Sequence, residues 1–426
     1  MPPVYANGPL YRKIAWRTLP ILFFCYIVAY IDRVNVGFAK LQMMGDLKFS
    51  ESVYGLGAGI FFIGYFIFEV PSNILLDKVG ARGWICRILI TWGIISGLTA
   101  MVRTPWEFYT VRFLLGVAES GFFPGMILYL TYWFPSHRRA RMVALLMTGN
   151  PISGIVSGPI SGYILKHFDG IHGGAGWQWL FILEASPAVI LGIIILFCLD
   201  DRVAHASWLS QAEKATITAE ISAEAVGKTH HTLASVFTSL RIWLLCAIYF
   251  GVQMGSSTVG FWLPTIIRET GVMDAVDIGL LSMLPYTVGL ITMVLVGRHS
   301  DETRERRWHI VLPCIVAALG FALCTQAGSS TTVAIVGLTL AVAGVVTAVP
   351  MFWSLPTSFL TGSAAAVGIA LVNCTGNLGG FFSPTIIGYL KTYTGTLNSG
   401  LFMISGCMVA SAILILGLIP AKLVNR

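Results

Sequence analysis

Two adjacent charges, Asp32 and Arg33, stand in an apolar run from Cys25 to Asn35 that otherwise has the composition of a membrane-spanning helix. Each charge costs roughly 2.5–3.5 kcal/mol near the centre of a bilayer, so such residues turn toward a bundle interior or a water-filled cavity. Glu69, Arg112, Glu119 and Glu184 share the same predicament, and all lie in the first half of the chain. Arg112 and Glu119 are seven residues apart, two helical turns, so they project from one face with Gly116 between them leaving room beside the backbone. An arginine presents a planar fork of donors that holds a carboxylate through two hydrogen bonds and keeps its proton. A carboxyl group in the same dry space has its ionisation opposed by burial and favoured by a nearby cation, so it loads and releases a proton as its partners change. Anion binding at Arg112 and proton transfer through Asp32, Arg33 and Glu119 are the chemistry these residue types offer. The alternative is a static ion-pair network that only ties helices together. Glu69 precedes Val70-Pro71 at a cytoplasmic helix end and Glu184 follows Trp177-Gln178-Trp179 near an outer end, so both are expected to reach water and serve structure.

The elements that must position these groups follow from composition. With 426 residues, 56% hydrophobic and 11% charged, the chain is far from the roughly 25% charged residues of a soluble domain and reads as an all-α integral membrane protein. Apolar runs near the ~20 residues needed to span recur at 17–39, 53–76, 84–102, 107–133, 142–166, 179–199, 241–267, 277–297, 309–326, 332–356, 364–390 and 399–420, which makes twelve. The first follows Arg12, Lys13 and Arg17 and lacks an A-x-A site, so it is expected to stay as a span. With both termini cytoplasmic, nineteen Lys and Arg fall on the inner side and six on the outer, with Arg33 and Arg112 in the membrane. That asymmetry sets the orientation by the positive-inside rule. Counting 1.5 Å per residue from the outer loops puts Asp32 at ~12 Å, Arg112 at ~8 Å and Glu119 at ~18 Å depth, within one layer.

Other classes find little support. The net charge of +7 comes with no basic arm carrying interleaved aromatics, so no nucleic-acid partner is expected. The eight cysteines lie singly in apolar stretches without C-x-x-C spacing, which argues for packing over a disulfide frame or a zinc site. His230-His231 lack a third ligand nearby, and neither a metal nor another cofactor is called for. A membrane enzyme or receptor would need a nucleophile and base pair, a metal cluster or a sizeable soluble domain.

The long hydrophilic segment 200–240 divides the chain into bundles 1–199 and 241–426, six spans each. It carries Ser210-Gln-Ala-Glu213, a capping-box pattern that opens a short amphipathic helix. Landmarks recur across it: Val36-Gly37-Phe38 returns as Val259-Gly260-Phe261, Gly55 as Gly279, Asp77 as Asp301 and Pro159 as Pro384, at offsets of 223, 224, 224 and 225. Six spans per repeat in unchanged orientation imply halves related by an axis along the membrane normal, with a binding site between them. The repeat position of Asp32-Arg33 is Gly255-Ser256, so the scaffold itself does not need these charges.

Asn73-Ile-Leu-Leu-Asp77-Lys78-Val-Gly80-Ala-Arg82 and Gly297-Arg-His-Ser-Asp301-Glu-Thr-Arg304 resemble the G-x-x-x-D-R-x-G-R-R signature of the major facilitator superfamily, with Asn73 for its Gly and Lys78 for its Arg. Together with Tyr30-Ile-Asp32-Arg33 and Arg112-Phe-Leu-Leu-Gly116-Val-Ala-Glu119-Ser-Gly121-Phe-Phe-Pro124, the chain resembles the superfamily's anion:cation symporter family along nearly its whole length. That family includes proton-coupled galactonate, hexuronate, tartrate, phthalate and 4-hydroxyphenylacetate permeases. The resemblance implies a monomer in the bacterial inner membrane that imports a small organic anion with protons. It also implies conformational gating by Asp77, Lys78, Arg82, Asp301 and Arg304, and a substrate cavity flanked by Tyr30, Tyr65, Asn150, Trp353 and Asn373. Asn150 and Asn373 are offset by 223 and so face each other across the bundles. The aromatic faces suit a ring or the apolar side of a sugar acid, and the amides suit hydroxyls. Gly154-Ile-Val-Ser-Gly158-Pro159-Ile-Ser-Gly162 nearly matches a drug/proton antiporter signature, with Tyr163 in place of its last glycine. Small residues four apart also let helices approach closely, which makes packing the preferred reading and export the alternative function.

Overall fold

The structure, a computed structural model, describes residues 8–225, 239–359 and 362–420. The histidines at 230–231 and the charges Lys228, Lys422 and Arg426 lie outside the described residues, as do the ends of both termini. Sixteen helices are described, with no strand among the described residues. They are α1 Gly8–Leu47, α2 Glu51–Val79, α3 Ala81–Leu98, α4 Pro105–Glu119, α5 Phe122–Trp133, α6 Ser136–Met147, α7 Gly149–His167, α8 Gly176–Cys198 and α9 Gln211–Ala225, then α10 Leu240–Glu269, α11 Ala275–Thr303, α12 Trp308–Cys324, α13 Thr331–Phe352, α14 Ser354–Phe359, α15 Gly362–Thr394 and α16 Asn398–Leu418. Ten helices or consecutive pairs are long and apolar enough to cross a membrane, and the apolar α12 is shorter.

Three runs expected to be single helices are interrupted. The run 107–133 breaks between α4 and α5, where Gly121 adopts φ 79°, a left-handed conformation that costs a residue without a Cβ nothing. The run 142–166 breaks at Thr148, between α6 and α7, and 332–356 breaks at Trp353, between α13 and α14. Both end next to residues of the cavity described below.

The capping box forms as read: Glu213 N donates to Ser210 Oγ at 3.2 Å and Ser210 N to Glu213 Oε2 at 2.7 Å. The Glu213 carboxyl is held below its usual range by the Ser210 backbone N–H and by Lys13. Helix α9 docks on α1, with Lys13 Nζ 3.0 Å from Glu213 and Tyr11 Oη 2.7 Å from Glu220.

The repeated glycines and prolines turn out to be contact points between helices before and after α9. A Cβ on Gly37 of α1 would meet the Gly260 carbonyl oxygen of α10 at 3.1 Å. On Gly55 of α2 it would meet the Pro384 carbonyl of α15 at 2.3 Å, and on Gly279 of α11 the Gly158 carbonyl of α7 at 2.2 Å. The equivalent pairs therefore use equivalent residues, α2 against α15 and α11 against α7. Gly162 likewise abuts Ala275, so the glycine run of α7 packs against α11.

The end of the molecule near these contacts is also tied by charge. Glu51 of α2 receives Lys40 of α1 and Lys391 of α15, each at 2.7 Å, and Lys391 reaches Glu269 of α10 at 2.6 Å. Lys40 lies 3.9 Å from the centre of the Trp262 ring. Lys166 pairs with Asp274, and the Arg268 guanidinium donates to the Leu41 carbonyl.

Candidate functional site

A cavity of about 90 Å³ opens between the helices before and after α9. Its walls carry Tyr30 and Arg33 from α1, Tyr65 from α2, Glu119 from α4 and Asn150 from α7. From the other side come Tyr249, Gln253 and Ser256 of α10, Trp353, and Asn373 and Asn377 of α15. All five residues expected to flank a cavity do so. Tyr249, Gln253, Ser256 and Asn377 were not picked out from the sequence; Ser256 stands at the repeat position of Arg33, and that offset was the available signal.

Arg33 is the cation at the wall. Its guanidinium pairs with Glu119 and lies 5.2 Å from the Tyr30 ring, 5.3 Å from Phe61 and 5.7 Å from Tyr65. Glu119, 1% exposed, ends α4, and the left-handed Gly121 that follows starts α5, whose Phe122 and Phe123 line the same cavity.

Arg112 sits elsewhere. It is 0% exposed, packs against Phe61 at 5.2 Å and donates Nε to the Gly57 carbonyl at 3.3 Å, and it is not among the residues lining the cavity. Its two terminal nitrogens find no hydrogen-bond partner among the described residues. The space expected beside Gly116 is filled by backbone, since a Cβ there would stand 1.9 Å from the Phe61 carbonyl oxygen. Arg112 and Glu119 do share a face of α4, but Phe61 and the backbone of α2 pack against that face.

Asp32 also points away from the cavity. Its carboxylate accepts Trp92 Nε1 at 2.6 Å, Ser96 Oγ at 3.2 Å and Asn35 Nδ2 at 3.3 Å. The Asn35 side chain in turn neighbours Glu184, whose Oε1 accepts Ser161 Oγ at 2.7 Å. Glu184 is 4% exposed, so the expectation that it reaches water is corrected: the packing of α8 against α1 and α7 closes over it. The same correction holds for Glu69, also 4% exposed, whose carboxylate takes Asn373 Nδ2 at 2.8 Å and Cys374 Sγ at 3.4 Å from α15. A residue near a helix end in sequence is dry here because another helix covers it.

The signature residues lie at the opposite end from the lysine and glutamate cluster. Asp77 accepts from Tyr132 Oη at 3.1 Å, and the Arg82 backbone N–H donates to Asp201 at 2.8 Å. Lys78 is exposed on the last turn of α2. Asp301 pairs with Arg306 at 2.6 Å, and Arg304 ends α11 in a left-handed conformation with φ 54°.

Chemically, the cavity sets one ion pair among aromatic rings and amides drawn from both sides of the chain. Comparisons with known proteins agree with a transport role. Residues 22–384 match the family described as the Major Facilitator Superfamily. A protein of Pseudomonas putida that bears the name metabolite transport protein NicT is 48% identical, covering 99% of this chain and 97% of that one. A protein of Agrobacterium vitis that bears the name tartrate transporter is 49% identical, covering 95% and 93%. A quinolone resistance transporter of Acinetobacter baumannii is 40% identical, covering 95% and 93%. A solved structure described as a D-xylose-proton symporter shares the fold with a TM-score of 0.76 at 16% identity, covering 96% of this chain and 98% of that one. The chain therefore belongs to the major facilitator superfamily and is a multi-pass membrane transporter, not an enzyme.

Proposed function

We propose that this protein is a secondary active transporter of the bacterial inner membrane, importing a small organic acid anion together with protons. Twelve spans in two six-helix bundles, residues 1–199 and 241–426, joined by the linker 200–240, would rock about the cavity with both termini cytoplasmic. The observation that carries the reading is the Arg33 and Glu119 pair in the cavity wall. A substrate carboxylate that takes the Arg33 fork removes the cation that keeps Glu119 ionised, and Glu119 then gains by taking a proton. Binding of anion and proton become mutually favourable, which is what symport requires. Arg112, with unpartnered nitrogens behind Phe61, and Asp32 extend this charge network out of the cavity. Asn150, Asn373 and the rings of Tyr30, Tyr65 and Trp353 supply hydroxyl and ring contacts. A small cavity of about 90 Å³ favours a compact hydroxy or aromatic acid over a large molecule. The name of the Pseudomonas relative supports a metabolite as substrate, and that of the Agrobacterium relative supports an acid of the tartrate kind.

Purified protein in proteoliposomes, first screened by thermal shift against hydroxy acids, sugar acids and aromatic acids, is expected to accumulate the stabilising acid when protons are driven inward. Accumulation that survives collapse of the gradient would refute symport. The second reading, proton-driven export of a small organic compound, is favoured by the Acinetobacter relative. It predicts extrusion against the proton flow, with stabilisation by neutral or cationic compounds.

A further inference from the structure

Helices α2 and α15 stay in contact from the outer end inward. Gly55 meets Pro384, Gly59 meets Phe381 and Thr385, and Phe62 meets Gly380. Further inward, Glu69 meets Asn373 and Cys374. Glu69 is thus the innermost of these contacts, eighteen residues along α2 from Glu51, on the order of 27 Å by helical rise. Its donors come from across the interface: the Asn373 amide, the Cys374 thiol, and the Asn377 side chain. Among the described residues it makes no ion pair. The ionisable groups facing it are Arg33 of α1, already engaged by Glu119, Tyr65 on its own helix, Tyr249 of α10 and Cys374 of α15.

We propose that Glu69 is a positioning residue whose protonation holds the inner end of the α2 and α15 contact closed and whose deprotonation opens it. The inference rests on the proton-coupled reading above and adds a carboxylate that reading does not use. Burying an ionised carboxylate with only neutral donors is costly, whereas the neutral acid is easily held by an amide and a thiol. The closed contact therefore favours the protonated form. Separation of the helices at this end admits water to the carboxyl group and favours release of the proton. By linkage, loss of the proton to the cytoplasm favours the open end, so substrate and proton leave on the same side. The step is a simple ionisation: the carboxylic acid gives its proton to water at the inner mouth and takes one back when the helices close. Asn373 also lines the substrate cavity, so a substrate that draws its amide away loosens the same contact.

The test uses the full-length protein in liposomes. Hydrogen exchange of peptides covering the inner ends of α2 and α15, corrected for intrinsic rates, is followed from pH 5.5 to 8, beside transport. In the native protein, exchange at these ends should rise at least threefold as pH rises. Glu69→Gln, permanently neutral and still able to accept from the Asn373 amide on its one oxygen, should keep the slow exchange at every pH and lower net uptake at least tenfold. Glu69→Ala should give fast exchange at every pH, and Asn373→Ala supplies the same readout if that variant fails to fold. A Glu69→Gln protein with the native pH profile of exchange would overturn the proposal and leave Glu69 as a structural hydrogen-bond acceptor. Native uptake indifferent to the proton gradient, with pH-dependent exchange that Glu69→Gln abolishes, would instead overturn the symport reading and keep the gate.

Discussion

At the scale of single residues, two arginines with the same charge receive different tasks from what covers them. Arg33 reaches the cavity and Arg112 is walled off by Phe61, although Arg112 has the more site-like spacing in sequence. If Arg33 holds the substrate carboxylate by a bidentate fork, Arg33→Lys should not rescue it, because an ammonium is a point charge without that geometry. Affinity measured calorimetrically is expected to fall at least tenfold in Arg33→Lys and further in Arg33→Ala. Affinity within threefold of native would remove Arg33 from the binding role. Glu119→Gln imitates the protonated acid, so exchange of substrate down its own gradient should persist while uphill accumulation falls at least tenfold. Both follow from one ion pair, and they separate binding from coupling. Sequence order cannot decide such a matter, because helix rotation decides which side of α1 or α4 meets the cavity.

At the scale of elements, the helices are set by backbone contact at glycines. Gly116 of α4 touches the Phe61 carbonyl of α2, and that contact fixes the pair of helices that bear Glu119 and Tyr65. Gly116→Ala forces backbone apart, since the atom it meets cannot rotate away. Overpacking of this kind costs about 1–3 kcal/mol, so a lower thermal midpoint is expected. Gly83→Ala in α3 meets nothing within 4 Å and serves as the control, with a midpoint equal to or above native. Equal midpoints for the two variants would show that α2 and α4 can separate without loss. The glycine run of α7 earns its spacing from α11 in the same way.

At the scale of the whole molecule, the cluster of Lys40, Glu51, Lys391 and Glu269, outer in the orientation proposed above, joins helices on both sides of the cavity. Lys391 serves two carboxylates at once, and its removal leaves Glu269 without that partner. The members range from buried to half-exposed, so the loss is worth about 1 kcal/mol, or about a fivefold shift in population. Lys391→Ala should therefore favour the outward-open form. A cysteine at Ser256, in the cavity wall, should react about five times faster with an impermeant maleimide applied from outside, read by peptide mass mapping. An unchanged rate would mean that the remaining contacts, the packing at Gly37 and Gly55 and the pairs of Lys40 and Lys166, keep this end closed without Lys391.

By itself the sequence determined the membrane class, the capping box at Ser210 and the repeated glycine and proline landmarks, and its resemblance to a known family supplied the aromatic and amide lining of the cavity. The first three follow from local sums and spacings: apolar length decides insertion, and a side chain able to bond its own backbone decides a helix start. Only the tertiary structure decided that Glu69 and Glu184 are dry, that Arg33 rather than Arg112 faces the cavity, and that Gly37 meets Gly260 while Gly55 meets Pro384. A helix apolar on all sides carries no moment to say which face turns inward. Burial of a charge is then a property of the neighbouring helix, and no spacing along the chain encodes which neighbour that is.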